Sequence, residues 1–246
     1  MKILLTGGGG RLGTELRALL PGIVAPGSGE MNITDAAQVL DVARREQPDL
    51  IVHAAAYTNV GGAEKDRDAC WNANVVGTRN MAAAANSVNA KLIHISTDYV
   101  FSGETGNYHE NDTPGPVVNY YSLTKLVAEE AARAARDHLI IRTSFRPREF
   151  AHPIAFSDVY TGQDYVDVLA PQIAQAIVHA REITHDLLHI VTERKSVFEL
   201  ARRRKSNVQE GIRAQASVII PGDVSLNTEL WQKQYLLIKT LINKDA

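Results

Sequence analysis

The chain has 246 residues, 45% hydrophobic and 22% charged, which suits one globular domain, or one with a smaller lobe, and requires no disulfide or metal to hold it. Its formal net charge of −2 supplies no global basic field for nucleic acid or an anionic membrane. The lone cysteine, Cys70, the lack of a bilayer-length apolar run and the lack of a leader pattern read together as a cytoplasmic protein.

The elements follow in chain order. Lys2 to Thr6 is an apolar strand, followed by a glycine turn and by Leu12, Leu16, Leu19 and Leu20 at helical spacing. Ile23 to Ala25 reads as a second strand, ended by Pro26-Gly27-Ser28-Gly29. Thr34 is placed to cap a helix that runs to about Gln47 and stops at Pro48. Leu50 to Ala54, Lys91 to Ser96 and Leu139 to Arg142 are further strands, with Ala-rich helices between them, one of them over Asp66 to Asn86. Short all-apolar strands alternating with helices predict an α/β protein: a Rossmann-type, doubly wound parallel sheet. Phe145 to Gly162 has no clear period and reads as irregular. Gln163 to Arg181 looks helical, Leu187 to Val191 a strand, and Ser196 to Lys205 a helix. Val218 to Asn227 reads as irregular and Thr228 to Asn243 as helical. The expected organisation is a dinucleotide-binding domain over 1–145 and a smaller C-terminal substrate lobe over 146–246, parts of which return to the first domain.

Gly7, Gly10 and Gly13 stand in a G-x-x-G-x-x-G spacing between a strand and an amphipathic helix. That context reads as a dinucleotide cradle. One glycine allows the turn, one allows the backbone to approach a pyrophosphate, and one allows helix and strand to pack closely. The helix N-terminus then faces the phosphates. Gly7, Gly10, Arg11, Leu12 and Gly13 are the candidates to hold the cofactor. No carboxylate stands clearly at the end of the second strand to take an adenine ribose, Glu30 being the nearest. Arg11 and Ser28 could hold a 2′-phosphate, so the balance between NADP(H) and NAD(H) tips toward NADP(H).

Tyr121 and Lys125 stand at i and i+4, one above the other on a helix. An ammonium beside a phenol lowers the phenol pKa and makes Tyr121 a proton donor near neutral pH. The strand from Lys91 ends in Ser96-Thr97-Asp98-Tyr99, at the edge of a parallel sheet where ligands bind. Thr97 could hydrogen-bond a substrate carbonyl there. The histidines lack metal-ligand spacing, and no metal is expected. Arg202-Arg203-Arg204-Lys205 reads as a solvated helix face, and Cys70 as a small buried hydrophobe.

With Gly7 to Gly13, His53 to Thr58, Asn72-Ala73-Asn74, Ser96 to Phe101, Asn119 to Glu129 and Arg142-Thr143-Ser144, the chain resembles the extended short-chain dehydrogenase/reductase superfamily. Within it, it is most similar to the dTDP-4-dehydrorhamnose reductase family. A weaker echo lies in Pro221 to Thr228. The resemblance implies hydride transfer from reduced nicotinamide to a 4-keto sugar nucleotide. It makes Tyr121 the acid, Lys125 the ligand of the nicotinamide ribose, Thr97 the group that polarises the ketone and Asp98 a substrate-orienting group. Ala54, Ala55 and Ile95 would line the cofactor, and Phe145 would stand in the substrate pocket where a tryptophan is common. Many such proteins pair through helices, so a homodimer is compatible with the resemblance.

Two departures stand out. Gly61-Gly62 replaces the family's Asp-Lys pair before Ala63-Glu64, and the stretch after Ser144 is short. The second reading is therefore a non-catalytic NADP-binding regulatory subunit resembling the methionine adenosyltransferase beta subunit. The complete Thr97, Tyr121 and Lys125 set argues for catalysis instead.

Overall fold

The computed structural model describes residues 1–216 and 218–236. In chain order the first half runs β1 (Ile3–Thr6), α1 (Arg11–Leu19), α2 (Ala36–Glu46), β2 (Leu50–His53), α3 (Val60–Ala63) and α4 (Arg67–Trp71). A π-helical turn (Asn72–Val76) leads into α5 (Gly77–Val88), then β3 (Lys91–Thr97), α6 (Tyr120–Ala132) and β4 (His138–Thr143). After that come β5 (Phe145–Arg146), β6 (Ile154–Phe156), β7 (Tyr160–Thr161), β8 (Asp164–Tyr165), α7 (Val166–Val178), β9 (Leu187–His189), β10 (Lys195–Ser196), α8 (Val197–Arg202) and β11 (Gln209–Gly211).

Five strands form one parallel sheet in the order β1-β2-β3-β4-β9. Alternation along the strands sends neighbouring residues to opposite faces. Ile3, Leu5, Val52, Ile93 and Ile141 pack with Leu12 and Leu16 of α1 and with Leu169, Ile173 and Ile177 of α7. Leu4, Ile51, Leu92 and Ile140 pack on the other side with Val39 and Val42 of α2 and Met81 and Ala85 of α5. Both faces are covered, which is why these strands are apolar throughout, and the doubly wound arrangement is as expected.

Several boundaries differ from expectation. Ile23 to Ala25 makes only an isolated bridge, Leu4 with Val24, because this edge segment is cut short by the breaker that follows. The cap of α2 is Asp35, whose carboxylate accepts from the N–H groups of Ala37 and Gln38, while Thr34 donates to Asn32. The helix expected over 66–86 is three segments, with the π turn in the middle. The region read as irregular, Phe145 to Gly162, holds three short strands whose partners lie later in the chain: β5 with β8, β7 with β10, and β6 with β11. Asp164 and Tyr165, read as helix, belong to one of those pairs. Ser196 starts α8 with a capping box to Glu199. The expected C-terminal helix is helical through Leu236, and the remainder of that expectation lies outside the described residues.

A separate apolar cluster of Phe150, Ala155, Val159, Tyr165, Val197, Leu200, Ala201 and Val208 lies under the short strand pairs. Meanwhile α7 and β9 return to the main sheet. Among the described residues no helix is long and apolar enough to cross a membrane.

Candidate active site

The glycine turn sits at the carboxyl end of β1, against the end of β2. Gly7 has φ +71°, a left-handed conformation that suits glycine, and a Cβ there would stand 2.7 Å from the Ala55 nitrogen. At Gly13 a Cβ would collide with the Gly7 carbonyl oxygen. Gly10 is the N-cap of α1, without a capping side chain, and the first turn carries no acidic residue. The exposed first-turn N–H groups and the missing Cβ atoms form a cradle open to an anion, so these residues fit a dinucleotide. Leu12 is buried in the core and Arg11 is exposed.

Thr6 and His53 tie the two strand ends together. The Thr6 hydroxyl contacts His53 Nδ1 at 2.8 Å and accepts from the Ala55 N–H at 3.1 Å, while His53 Nε2 contacts the Thr78 hydroxyl at 3.1 Å. Burial holds the His53 pKa down to about 3, so its ring is neutral. Ala54 packs on the core beside this junction. Ser28 lies on an exposed turn, and the Glu30 carboxylate points toward Arg45 at 3.9 Å.

The second half of the site is built on β3 and α6. Asn119 caps α6 by accepting from the Ser122 N–H at 2.8 Å, and Glu64 accepts from the Tyr120 N–H at 2.7 Å. These caps fix the helix start, and with it Tyr121. The Thr97 hydroxyl donates to Asp98 Oδ1 at 3.0 Å and lies close enough to the Tyr121 phenol to favour its ionised form. Asp98 is buried, accepts also from the Thr161 hydroxyl at 3.2 Å, and is pushed up to about 6 by desolvation. Lys125 is buried too, and its Nζ donates to the Ile95 carbonyl at 2.8 Å and faces His94 Nε2 at 3.4 Å. Desolvation brings its pKa down to about 8, against the opposing charge of Glu129.

One expectation needs correction. The Tyr121 phenol is not acidified by Lys125; burial, and after it the charge of Asp98, push its pKa up, because the ammonium is turned to the Ile95 carbonyl. The Ile95 side chain is part of the core, so it is the carbonyl of this residue that meets the site. Phe145 is half-buried against the same core, with its backbone paired to Asp164.

Several further neighbours surround these groups. Thr161 reaches Asp98 from a segment read as irregular. Tyr99 meets the Tyr121 ring edge-on, with centroids 6.3 Å apart. Asn74 donates to the Thr124 hydroxyl at 2.9 Å, which donates to the Tyr121 carbonyl at 2.8 Å, and Cys70 lies 3.3 Å from the same hydroxyl. Of these, Tyr99, Asn74 and Thr124 fall within motifs read from the sequence, Cys70 is read there only as a buried hydrophobe, and Thr161 lies outside every motif.

The family model for the RmlD substrate binding domain matches residues 1–208. The chain belongs to that family. Within the extended short-chain dehydrogenase/reductase superfamily, the RmlD family is one of NAD(P)-dependent oxidoreductases of nucleotide-sugar biosynthesis. The chain is 35% identical over 202 residues to a dTDP-4-dehydrorhamnose reductase of Mycolicibacterium smegmatis, a match covering 77% of this chain and 60% of that protein. The chain spans little more than half the length of the first curated relatives it matches. Among solved structures, a Bacillus anthracis dTDP-4-dehydrorhamnose reductase in complex with NADP superposes with a TM-score of 0.85 at 28% identity, covering 96% of this chain and 94% of that one. A hypothetical dTDP-4-dehydrorhamnose reductase of Sulfolobus tokodaii gives 0.82 at 31% identity, covering 95% and 94%.

Proposed function

We propose that this RmlD-family chain is an NAD(P)H-dependent reductase of a 4-keto sugar nucleotide, with NADPH the favoured reductant. The observation that carries this reading is that Thr97, Tyr121 and Lys125 gather around the carboxyl end of β3, with Lys125 held on the Ile95 carbonyl. The relatives bearing reductase names support the substrate class. In this reading residues 1–145 bind the dinucleotide, and the cluster beneath the short strand pairs forms the substrate lobe, with Phe145 at its border.

When bound, the reduced nicotinamide supplies the hydride for the carbonyl carbon. Tyr121 gives its proton to the carbonyl oxygen. A raised phenol pKa keeps that proton in place until negative charge develops on the oxygen. Thr97 donates to the same oxygen by a rotation of its hydroxyl away from Asp98, and Asp98 sets the starting orientation. Lys125, held by the Ile95 carbonyl, offers its remaining N–H groups to the nicotinamide ribose.

The test is substrate-dependent oxidation of NADPH and NADH with enzymatically generated dTDP-4-keto-6-deoxyhexose, with the product identified. Turnover supports the reading, and the two rates give the cofactor preference. Tight NADPH binding without turnover on any nucleotide sugar contradicts it, and favours the regulatory-subunit reading.

A further inference from the structure

Arg146 carries a charge that no ion pair compensates among the described residues, and its Nε is buried without a hydrogen-bond partner. Three other arginines of this region are paired. Arg148 forms a two-point pair with Glu15 at 2.8 Å on each arm, Arg204 one with Asp167 at 2.9 Å on each arm, and Arg203 meets Asp164 and Glu193. The Arg146 guanidinium lies over the ring of Phe150 at 5.1 Å. Arg146 as a whole is only partly buried, so its terminal nitrogens keep access to solvent while its Nε does not; a half-buried guanidinium with no anion beside it is the kind of group a ligand completes.

The location says which ligand. Arg146 ends β5, three residues beyond the carboxyl end of β4, the ligand-binding edge of a parallel sheet. It lies near Tyr99 and near enough to Asp98 and Arg11 for their charges to act on it. The Arg148–Glu15 pair clips this segment against α1, and Glu15 is one turn along α1 from Arg11. Asp98 makes no ion pair with Arg146 among the described residues; its two oxygens accept from the Thr97 and Thr161 hydroxyls. Two cations are thus gathered near the uncapped start of α1, with no ion pair to either among the described residues. Ala25, at the head of the segment in which Ser28 is expected to meet a 2′-phosphate, lies against the Gly8 position.

We infer that Arg146 binds the diphosphate of the dinucleotide, closing on it from the side opposite the glycine turn. The assignment rests on the dinucleotide-binding reading above. The chemistry recognised is a diphosphate, which a nucleotide-sugar substrate also carries, and the test separates the two sources.

The measurement is the dissociation constant for NADPH and for ADP-ribose, which keeps the diphosphate and lacks the nicotinamide. It is made on the wild type, Arg146→Met and Arg146→Lys, alongside thermal melting and the KM for the nucleotide sugar. Methionine keeps the apolar stem against Phe150 and removes the charge. The expected result is a loss of ~10–100-fold for both ligands in Arg146→Met, partial recovery in Arg146→Lys, an unchanged KM and an unaltered melting temperature. Unchanged dissociation constants with a raised KM assign the residue to the substrate diphosphate and overturn the proposal. Unchanged values throughout overturn it as well, as do equal losses in both variants accompanied by a lowered melting temperature, which mark a structural role. A wild type that binds neither NADPH nor ADP-ribose removes the dinucleotide reading itself, and this proposal falls with it.

Discussion

Glu129 grips Arg142 through two parallel hydrogen bonds, 2.9 Å to Nε and 2.8 Å to Nη2, with both side chains shut away from solvent. The Ser96 hydroxyl donates to the same carboxylate at 2.6 Å, so α6, β3 and β4 are fastened at one point. Tyr121, Lys125 and Glu129 follow one another at i, i+4 and i+8, which stacks them on one helix face. The ion pair therefore sets the depth and rotation at which α6 presents its tyrosine and lysine. Replacing Glu129 by Gln leaves Arg142 charged and buried, at an expected cost of about 3–5 kcal/mol in chemical denaturation. Changing both residues to Met costs less than the sum of the two single changes, which a double-mutant cycle measures. Equal and additive losses would show that the two residues are not coupled.

Asp98 gives a pH-dependent stability of predictable sign. Its folded pKa, about 6, is above the ordinary aspartate value of 3.8, so the folded state retains a proton that the unfolded state has already released. Its contribution is thus fully present below pH 3.8 and is lost as pH rises toward 6. Asp98→Asn is expected to stabilise the fold at neutral pH, by at most about 3 kcal/mol, and by progressively less on acidification. Turnover falls in the same variant, since the Thr97 hydroxyl loses its anionic partner. Melting curves across this pH range check the sign; an Asn variant less stable at neutral than at acid pH, relative to wild type, contradicts it.

Lys125 titrates near 8 because burial disfavours its ammonium. Below that pH the charged side chain attracts the anionic dinucleotide; above it the attraction fades. The NADPH dissociation constant should rise by a factor of ~3–10 as pH passes through this region. The rise should vanish in Lys125→Met and move to lower pH in Glu129→Gln, since Glu129 supports the lysine charge. A wild-type profile flat through this range would contradict the assignment of Lys125 to the cofactor.

The glycine turn separates packing from tolerance. Gly13→Ala drives a methyl into the Gly7 carbonyl, and should cost about 1–3 kcal/mol and abolish NADPH binding. At Gly9 a Cβ meets nothing within 4 Å, so Gly9→Ala should leave folding stability within about 0.5 kcal/mol of wild type. Similar melting temperatures for the two variants would show that the cradle is not packed as described.

What the sequence made legible was local. The run Lys2 to Thr6 before three spaced glycines, the Thr97-Asp98 strand end and the Tyr121/Lys125 spacing each lie within a few residues. What stayed hidden depends on distant partners. Thr161 reaches Asp98 across 63 positions, and the two-residue strands after Ser144 exist only through pairings with segments elsewhere in the chain. The buried Glu129–Arg142 pair needs the register that sets Ser96 beside Arg142. Thr34, expected as the cap, bonds Asn32 through its hydroxyl, and it is the neighbouring Asp35 carboxylate that accepts from two N–H groups. The direction of the Tyr121 shift is not legible either, because spacing on a helix does not tell where a lysine tip points.

The central claim is that Tyr121 supplies the proton to a carbonyl reduced at this site. The most direct measurement is single-turnover oxidation of bound NADPH by the 4-keto sugar nucleotide in wild type and Tyr121→Phe, with the NADPH dissociation constant determined for both. The account predicts a rate lower by ~10²–10⁴-fold in the Phe variant, with NADPH affinity and fold retained. A Phe variant that oxidises NADPH as fast as the wild type would contradict it.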